Sequence, residues 1–167
     1  MRLKSWSRLI LIGLFILAGG TLYFTKISIL CLENTDRSKS HPIRVSPSER
    51  FTVVYIHSIY REPVEELFQI HEGTIVLKGV RTRHPGILEY YGFEDTKQFH
   101  PMDRRVGALL FRVAMGEPQS LQVRDRRISF REVGEGGDQI RLRFESVSLG
   151  QYLVHRVFPP ALIHDFH

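Results

Sequence analysis

The sequence contains a single cysteine, Cys31, among its 167 residues. An intrachain disulfide and a zinc site built on several cysteines are therefore excluded, even in an oxidising compartment. No Gly-x-Ser-x-Gly occurs in the chain, so the nucleophile elbow of α/β-hydrolases is missing. Internal repeats and low-complexity stretches are absent as well. A chain of this length has room for one domain with a usable core.

Charge is missing from one long stretch, Leu9 to Phe24, which reads LILIGLFILAGGTLYF. Arg2, Lys4 and Arg8 precede this stretch, and Lys26 follows it. A bilayer core takes about 20 apolar residues, with about 17 near the lower limit. The stretch is therefore either a short membrane anchor or a signal peptide.

The small residues Ala18-Gly19-Gly20 are typical of a signal-peptide cleavage site. The apolar character continues beyond them to Phe24, which favours an uncleaved anchor. Because three basic residues precede the segment and one follows it, the N-terminus should stay in the cytoplasm and the rest should be exported. Residues 1–26 are thus expected to form a cytoplasmic stub and a single-pass anchor.

Acidic residues are absent from the first 26 positions, which hold four of the 23 lysines and arginines. The rest of the chain has 19 basic and 18 acidic residues, so the pI near 9.6 belongs largely to the anchor. This distribution gives no reason to expect binding of nucleic acid.

Beyond Lys26, short apolar runs separated by turn residues predict antiparallel β structure. The last run alternates apolar residues with charged ones, as expected for a half-buried strand. The sequence predicts an antiparallel β-sandwich or partly open barrel over residues 27–153, behind one N-terminal transmembrane helix. About nine strands are predicted: Ile27–Glu33, His41–Val45, Phe51–Tyr60, Glu65–His71, Thr74–Val80, Val106–Ala114, Ser120–Val123, Ile128–Glu132 and Gln139–Leu149.

The remaining segments are predicted to be turns or irregular structure. Glu72-Gly73 is a tight-turn signal. The stretch Arg81–Arg105 is the least regular, and outside the anchor only Ala108–Val113 has a plausible helical pattern. Residues 154–167 are expected to form a loosely ordered tail.

The run HSIYREPVEELF, which begins at His57, carries the most distinctive pattern. Adjacent strand residues point to opposite faces, so His57 and Ser58 should not form a nucleophile–base pair. With a loop centred near Glu62, Glu66 would lie opposite either His57 or Ser58, depending on the register. We favour His57, because charge assistance makes that hydrogen bond the stronger. Pro63 is then a loop residue that cannot join the ladder.

Several interpretations of this hairpin remain open. The favoured one is structural, with the register that pairs Tyr55 with Phe68 and His57 with Glu66. A partly buried His57–Glu66 pair could also hold a solute or sense pH. A serine hydrolase using Ser58 or His57 is less favoured. Neither a metal nor a cofactor is expected. The sequence has eight histidines, but His155, His164 and His167 in the tail match no zinc-ligand spacing.

The same run resembles the signature of a bacterial family known as domain of unknown function 1850, in which His-Ser precedes Pro-Val and a Glu before an aromatic residue. The resemblance extends over most of Ile27–Leu153, including an early strand ISILCLE and a closing FESVSLGQYL. The stretch Gly86–Gly92 departs from the Gly-rich segment of the family, which leaves any function of that loop in doubt. The matching positions are His57, Ser58, Pro63, Val64, Glu66 and Phe68.

The resemblance implies a role beside TRAP transporters of the TAXI type, which import solutes with an extracytoplasmic binding protein. It implies no catalytic activity. We therefore expect a non-enzymatic accessory protein in the bacterial inner membrane, with its β domain in the periplasm. The expected partners are the membrane and a TRAP permease or its solute-binding protein. The alternative is a solute-binding domain that uses the His57/Glu66 hairpin.

Two surface features have ordinary explanations. Arg124, Arg126 and Arg127 form a basic turn, for which solvation is a more common role than contact with lipid headgroups. The aromatic patch Leu88–Phe93 is expected to fill the core rather than to line a ligand groove.

Overall fold

A long helix leads into two antiparallel β-sheets in the structure, a computed structural model that describes residues 3–37, 39–95 and 97–157. Three α-helices, one short 3₁₀ helix (Phe130–Glu132) and ten strands are present in these ranges. In chain order they are α1 (Leu3–Phe24), β1 (Lys26–Asn34), β2 (Lys39–Arg44), β3 (Arg50–Ile56), β4 (Pro63–His71), β5 (Thr74–Arg81), α2 (Pro85–Tyr90), β6 (Phe99–Val106), β7 (Ala108–Arg112), β8 (Gln119–Val123), β9 (Arg126–Ser129), β10 (Gln139–Ser148) and α3 (Leu149–Val157).

The two sheets share one hydrophobic core. The four-stranded sheet has the order β2-β1-β10-β7, and the six-stranded sheet has the order β6-β5-β4-β3-β8-β9. Every neighbouring pair is antiparallel, and neither sheet closes on itself. The predicted antiparallel, mainly β fold is therefore confirmed, with ten strands in place of about nine.

Side-chain alternation places the core between the sheets. Leu30 and Leu32 of β1 lie opposite Phe144 and Leu142 of β10, and the leucines are fully buried. Arg143, which lies between Leu142 and Phe144 on β10, points to the other face. Val53 contributes to the same core from the six-stranded sheet. The period-two pattern read from the sequence thus predicted the buried face correctly.

The segment Arg81–Arg105 is more regular than predicted. His84 caps α2 by accepting the Gly86 N–H on its Nδ1 at 3.2 Å, and Pro85 starts the helix. An edge strand, β6, follows. It contains one proline and three charged residues, so its sequence lacks the apolar alternation that predicts a strand. An edge strand tolerates such residues because one side of its ladder is unpaired.

Other predicted boundaries also change. Gly107 divides the predicted strand Val106–Ala114 between the two sheets, so that Ala108–Arg112 forms β7 and not a helix. The chain after Ser129 turns into a short 3₁₀ helix. Helix α3 extends through Val157 into the predicted loose tail, of which residues 158–167 lie outside the described residues.

Helix α1 confirms the predicted helical segment, and its apolar side chains are exposed, with Phe15 84% and Phe24 78% accessible. The helix contacts α3 and the end of β10. In the three ranges that the structure describes, no helix combines the length and apolar content needed to cross a membrane. The predicted transmembrane helix lacks that support.

Candidate functional site

The hairpin that carries HSIYREPVEELF has a different register from the predicted one. Strand β3 ends at Ile56, β4 begins at Pro63, and these two residues are paired. Six residues therefore separate the strands. Glu66 consequently lies opposite Val53. The prediction that Glu66 faces one member of the His-Ser pair is wrong.

The register error comes from the proline. Pro63 is the first residue of β4, where a missing N–H does no harm to the ladder, and not a loop residue as predicted. Tyr55 pairs with Val64, and Phe68 pairs with Phe51, so the predicted Tyr55–Phe68 pairing is also wrong. The rings of Phe68 and Phe51 stack with 5.2 Å between centroids, and Phe68 is 2% exposed. Phe68 is therefore a core residue.

His57 closes the hairpin loop through the backbone. Its N–H donates to the Glu62 carbonyl at 2.9 Å, and its own carbonyl accepts the Arg61 N–H at 2.8 Å. The Nδ1 atom of His57 accepts the N–H of Ile59 at 3.3 Å. An imidazole that accepts at Nδ1 carries its proton on Nε2 when neutral, so no lone pair is left there for a metal.

Ser58 lies in the same loop, and its side chain is exposed. Both Ser58 and His57 fall outside β3, so strand alternation does not explain their separation. Within the described residues no hydrogen bond joins the two side chains, as a nucleophile and its general base would require. The loop geometry gives no support to a Ser58 nucleophile.

A stack of three rings joins this loop to α2. The Tyr60 ring lies 4.0 Å from the His84 ring and 5.2 Å from the His57 ring. A Cβ atom at Gly86 would lie 2.8 Å from the Tyr60 hydroxyl, so a larger residue there would displace the Tyr60 ring. Helix α2 is therefore closely packed on the loop at Gly86.

Glu66 forms a cluster with two tyrosines, called here the Glu66–tyrosine cluster (Glu66, Tyr55 and Tyr91). The Tyr91 hydroxyl donates to Glu66 Oε1 at 2.5 Å. The Tyr55 hydroxyl lies 3.1 Å from the Tyr91 oxygen, which accepts it while donating to the carboxylate. Ile87 and Leu88 of α2 are buried next to this end of the core. Helix α2 therefore supplies an apolar cover, and Tyr91 directly after it supplies a hydrogen-bond donor.

Burial sets the electrostatics of the Glu66–tyrosine cluster. It raises the pKa of Glu66, although the hydrogen bond from Tyr91, itself supported by the Tyr55 hydroxyl, favours the charged carboxylate and acts in the opposite direction. Burial and then the Glu66 charge raise the pKa of Tyr55 to about 12, and they raise the pKa of Tyr91 further. Both phenols are therefore protonated donors at neutral pH. The cluster can hold a proton or bind a polar group, but it contains no activated nucleophile.

The aromatic patch divides between core and surface. Tyr91 is half-buried in the Glu66–tyrosine cluster, whereas Tyr90 is 86% exposed. The Phe93 ring packs 4.2 Å from the ring of His100, which is buried and bonded through Nε2 to Asp95 at 2.6 Å. The prediction of core filling is confirmed in part for Tyr91, which is half-buried. It is wrong for Tyr90, which is exposed.

A shallow groove lies at the base of the hairpin, with a volume of about 300 Å³. Polar and charged side chains line it, and Arg81 is bonded to Glu65 at 3.0 Å across it. In the described parts of the chain, no group of three or more His, Cys, Asp or Glu residues could hold a metal ion. The lining residues of the groove are Glu62, Pro63, Glu65, Arg81, Thr82, Arg83 and Gln98.

The sequence did not predict four side-chain contacts of the hairpin. They are made by Tyr55, Tyr60, His84 and Tyr91. His84-Pro85-Gly86 is a helix-start signal that could have placed α2, and Tyr91 follows that helix. Its partnership with Glu66 depends on tertiary packing over 25 residues of sequence. Comparison with family models, curated proteins and solved structures gives no match for this chain.

Proposed function

We propose that this chain is a membrane-tethered, non-enzymatic β domain on the outer side of the bacterial inner membrane. In this proposal it serves as an accessory of a TAXI-type TRAP solute transporter. The exposed apolar helix α1 carries the membrane part. The transporter part rests on the resemblance of HSIYREPVEELF to the domain of unknown function 1850 family.

The apolar surface of α1 supports the tether. A helix that is apolar on all sides is stable when protein or lipid surrounds it. In the middle of α1, Leu11 is 65% exposed and Ile16 is 70% exposed. The exposed apolar residues of α1 are Leu9, Ile10, Leu11, Ile12, Leu14, Phe15, Ile16, Leu17, Leu22, Tyr23 and Phe24.

The dimensions of α1 suit a short tether. At 1.5 Å per residue, Leu9–Phe24 is roughly 24 Å long, against a hydrocarbon core of about 30 Å. Local thinning of the bilayer accommodates a helix of this length. Exposed Trp6 and Tyr23 lie near its two ends, where aromatic residues favour the membrane interface. Only Thr25 separates α1 from β1, so the tether would hold the sheets at the membrane surface.

The hydrogen bonds of His57 and Glu66 support the proposal that the domain is not an enzyme. His57 Nδ1 accepts a backbone N–H, and Glu66 accepts the Tyr91 hydroxyl. Within the described residues, neither group makes a hydrogen bond to the Ser58 side chain, as a general base for that serine would.

The end of the sandwich opposite α1 offers a surface for a protein partner. Ile59, Tyr90 and Met115 are 77%, 86% and 82% exposed. Arg61 and Glu117 form an ion pair at 2.5 Å that joins the β3–β4 loop to the β7–β8 loop. Exposed large apolar side chains on adjoining loops favour protein contact over solvent.

Affinity purification of the full chain from a detergent extract of the native membrane tests the partner. We expect a TRAP permease or its solute-binding protein to co-purify, and Ile59→Asp with Tyr90→Asp to remove it. Leu110→Asp is the matched control, because Leu110 is 60% exposed on β7, away from these loops. Co-purification of neither protein above the background would contradict the transporter role.

Solute binding at the hairpin groove is the second candidate. The groove volume of about 300 Å³ reaches the lower limit for small-ligand sites, and its mixed charges suit a small zwitterion or organic acid. A ligand with Kd well below its concentration should raise the melting temperature of the full chain, and Arg83→Ala should abolish that rise. A panel of amino acids and carboxylic acids without any shift would eliminate this candidate.

A further inference from the structure

Every second connection between strands lies at the end of the sandwich where α1 joins β1. This end is called here the α1 end. The β2–β3 connection lies there, since its Val45 N–H donates to Ser28 in one sheet. The Glu49 carbonyl of the same connection accepts the Ile70 N–H in the other sheet at 2.8 Å. The α1 end also contains the β4–β5 and β8–β9 turns, the Gly107 corner and the start of α3.

Charge is unevenly distributed between the α1 end and the rest of the domain. The α1 end is taken to comprise these connections and the two residues of each strand that adjoin them. It contains seven basic and three acidic residues, a net charge of +4. The remainder of residues 26–157 has 13 basic and 14 acidic residues, a net charge of −1. The basic residues are Lys26, Arg44, Arg50, Arg105, Arg124, Arg126 and Arg127; the acidic ones are Glu49, Glu72 and Asp125.

Most of this positive charge is not neutralised inside the protein. Arg124 pairs with Glu49, and Arg105 pairs with Glu72 at 2.9 Å. Four exposed basic side chains have no acidic partner in the residues that the structure describes: Lys26, Arg44, Arg50 and Arg126. They come from the start of β1, the end of β2, the start of β3 and the start of β9.

Apolar side chains accompany the basic ones at this end. Leu153 and Val154 of α3 are 41% and 55% exposed, and Gly150 packs against Leu22 near the end of α1. Apolar side chains next to lysine and arginine are typical of surfaces that bind anionic lipid.

We propose that the α1 end is a docking surface for anionic phospholipid headgroups, which holds the β domain flat against the membrane. Lys26, Arg44, Arg50 and Arg126 contact lipid phosphates, and the exposed residues of α3 enter the interface. This inference rests on the proposed membrane tether. It adds a fixed orientation, in which the hairpin loop and the Glu66–tyrosine cluster point away from the bilayer.

Site-specific quenching in nanodiscs tests the orientation with the full chain. A Cys introduced as Asp125→Cys carries a fluorophore at the α1 end, and Met115→Cys carries it at the opposite end. Cys31 should stay unlabelled, because it is buried and its pKa is raised to about 11 by that burial. Nanodiscs contain phosphatidylcholine alone or with phosphatidylglycerol, and a small fraction of lipid has a nitroxide on its headgroup.

We expect strong quenching at position 125 in discs with phosphatidylglycerol, weaker quenching in phosphatidylcholine or high salt, and little at position 115. The variant Arg44→Gln/Arg50→Gln/Arg126→Gln should weaken docking about fivefold per arginine. Its control, Arg83→Gln/Lys97→Gln/Arg112→Gln, removes the same charge from exposed residues of the opposite end and should leave quenching unchanged.

The outcomes separate this inference from the tether on which it rests. If the chain stays with the discs and position 125 is unquenched, or if both triple variants behave alike, headgroup docking is wrong and the tether stands. If the chain does not stay with the discs, the tether itself is wrong.

Discussion

At the scale of single residues, Glu66 is the side chain whose environment departs most from its ordinary one. It lies on the core-facing side of β4, opposite Val53, and its contact with solvent is limited by α2. Burial penalises its charged form, so its pKa in the folded protein exceeds the usual value of 4.5. A group with a raised pKa in the folded state stabilises the fold when protonated and loses that contribution as the pH rises through the folded value.

The substitution Glu66→Gln tests this linkage. Below about pH 4.5 the two proteins should have similar free energies of unfolding, because Gln also accepts the Tyr91 hydroxyl. As the pH rises from there, the wild type should lose stability relative to the variant. Urea unfolding across this range measures the difference. Glu62→Gln on the adjacent loop is the control, and equal pH profiles for wild type and Glu66→Gln would contradict the buried carboxylate.

Glu66→Ala should behave differently from Glu66→Gln. It leaves the half-buried Tyr91 hydroxyl without its acceptor, which should cost about 1–3 kcal/mol.

Little of the hairpin at this scale follows from local sequence. The identity of the important residues was predictable, because a His, a Pro and a Glu between two apolar runs stand out. Their partners were not, since a hairpin loop of six residues and one of two residues fit the same pattern. With a two-residue loop, Glu66 would lie opposite the His-Ser pair. With the observed six-residue loop, it lies opposite Val53 and under α2.

At the scale of secondary-structure elements, turns with strict backbone requirements were the most predictable. Glu72-Gly73 was predicted as a tight turn, and both residues have positive φ, 50° and 73°. Two consecutive positive values define a type I′ turn, for which Asn-Gly is the preferred pair. Strand β6 and helix α2 were missed because packing, and not periodicity, determines them.

The β4–β5 turn predicts that Glu72→Asn stabilises the protein by about 0.5–1 kcal/mol, because Asn tolerates the left-handed backbone that strains Glu. The Glu72–Arg105 ion pair is lost, but both side chains are about two-thirds exposed, so that loss should be small. Glu72→Gln is the control, since it removes the same charge and keeps the strained backbone. Thermal unfolding should place Asn above Gln, and the reverse order would contradict the type I′ assignment.

At the scale of the whole molecule, the net positive charge of the β domain is gathered at one end, which the composition does not show. The net charge of +5 is dominated by the first 26 residues, and the remaining sequence is almost balanced. Only the fold shows that basic residues from four separate strand ends gather at the α1 end. Hydropathy predicted where the helix is, and alternation predicted the sheets. The segregation of charge depends on topology, because antiparallel strands bring every second connection to the same end.

The fold also predicts that the β domain is independent of α1. The core cluster runs from Leu30 to Leu142 and contains no residue of α1. A fragment of residues 26–157 should therefore unfold cooperatively and keep the circular dichroism of a β protein. Because Gly150 packs against Leu22, α3 should lose protection in the fragment. Hydrogen exchange should accordingly accelerate in residues 149–157 and stay slow in β1 and β10. Non-cooperative unfolding, or fast exchange in those central strands, would mean that α1 is part of the folding unit.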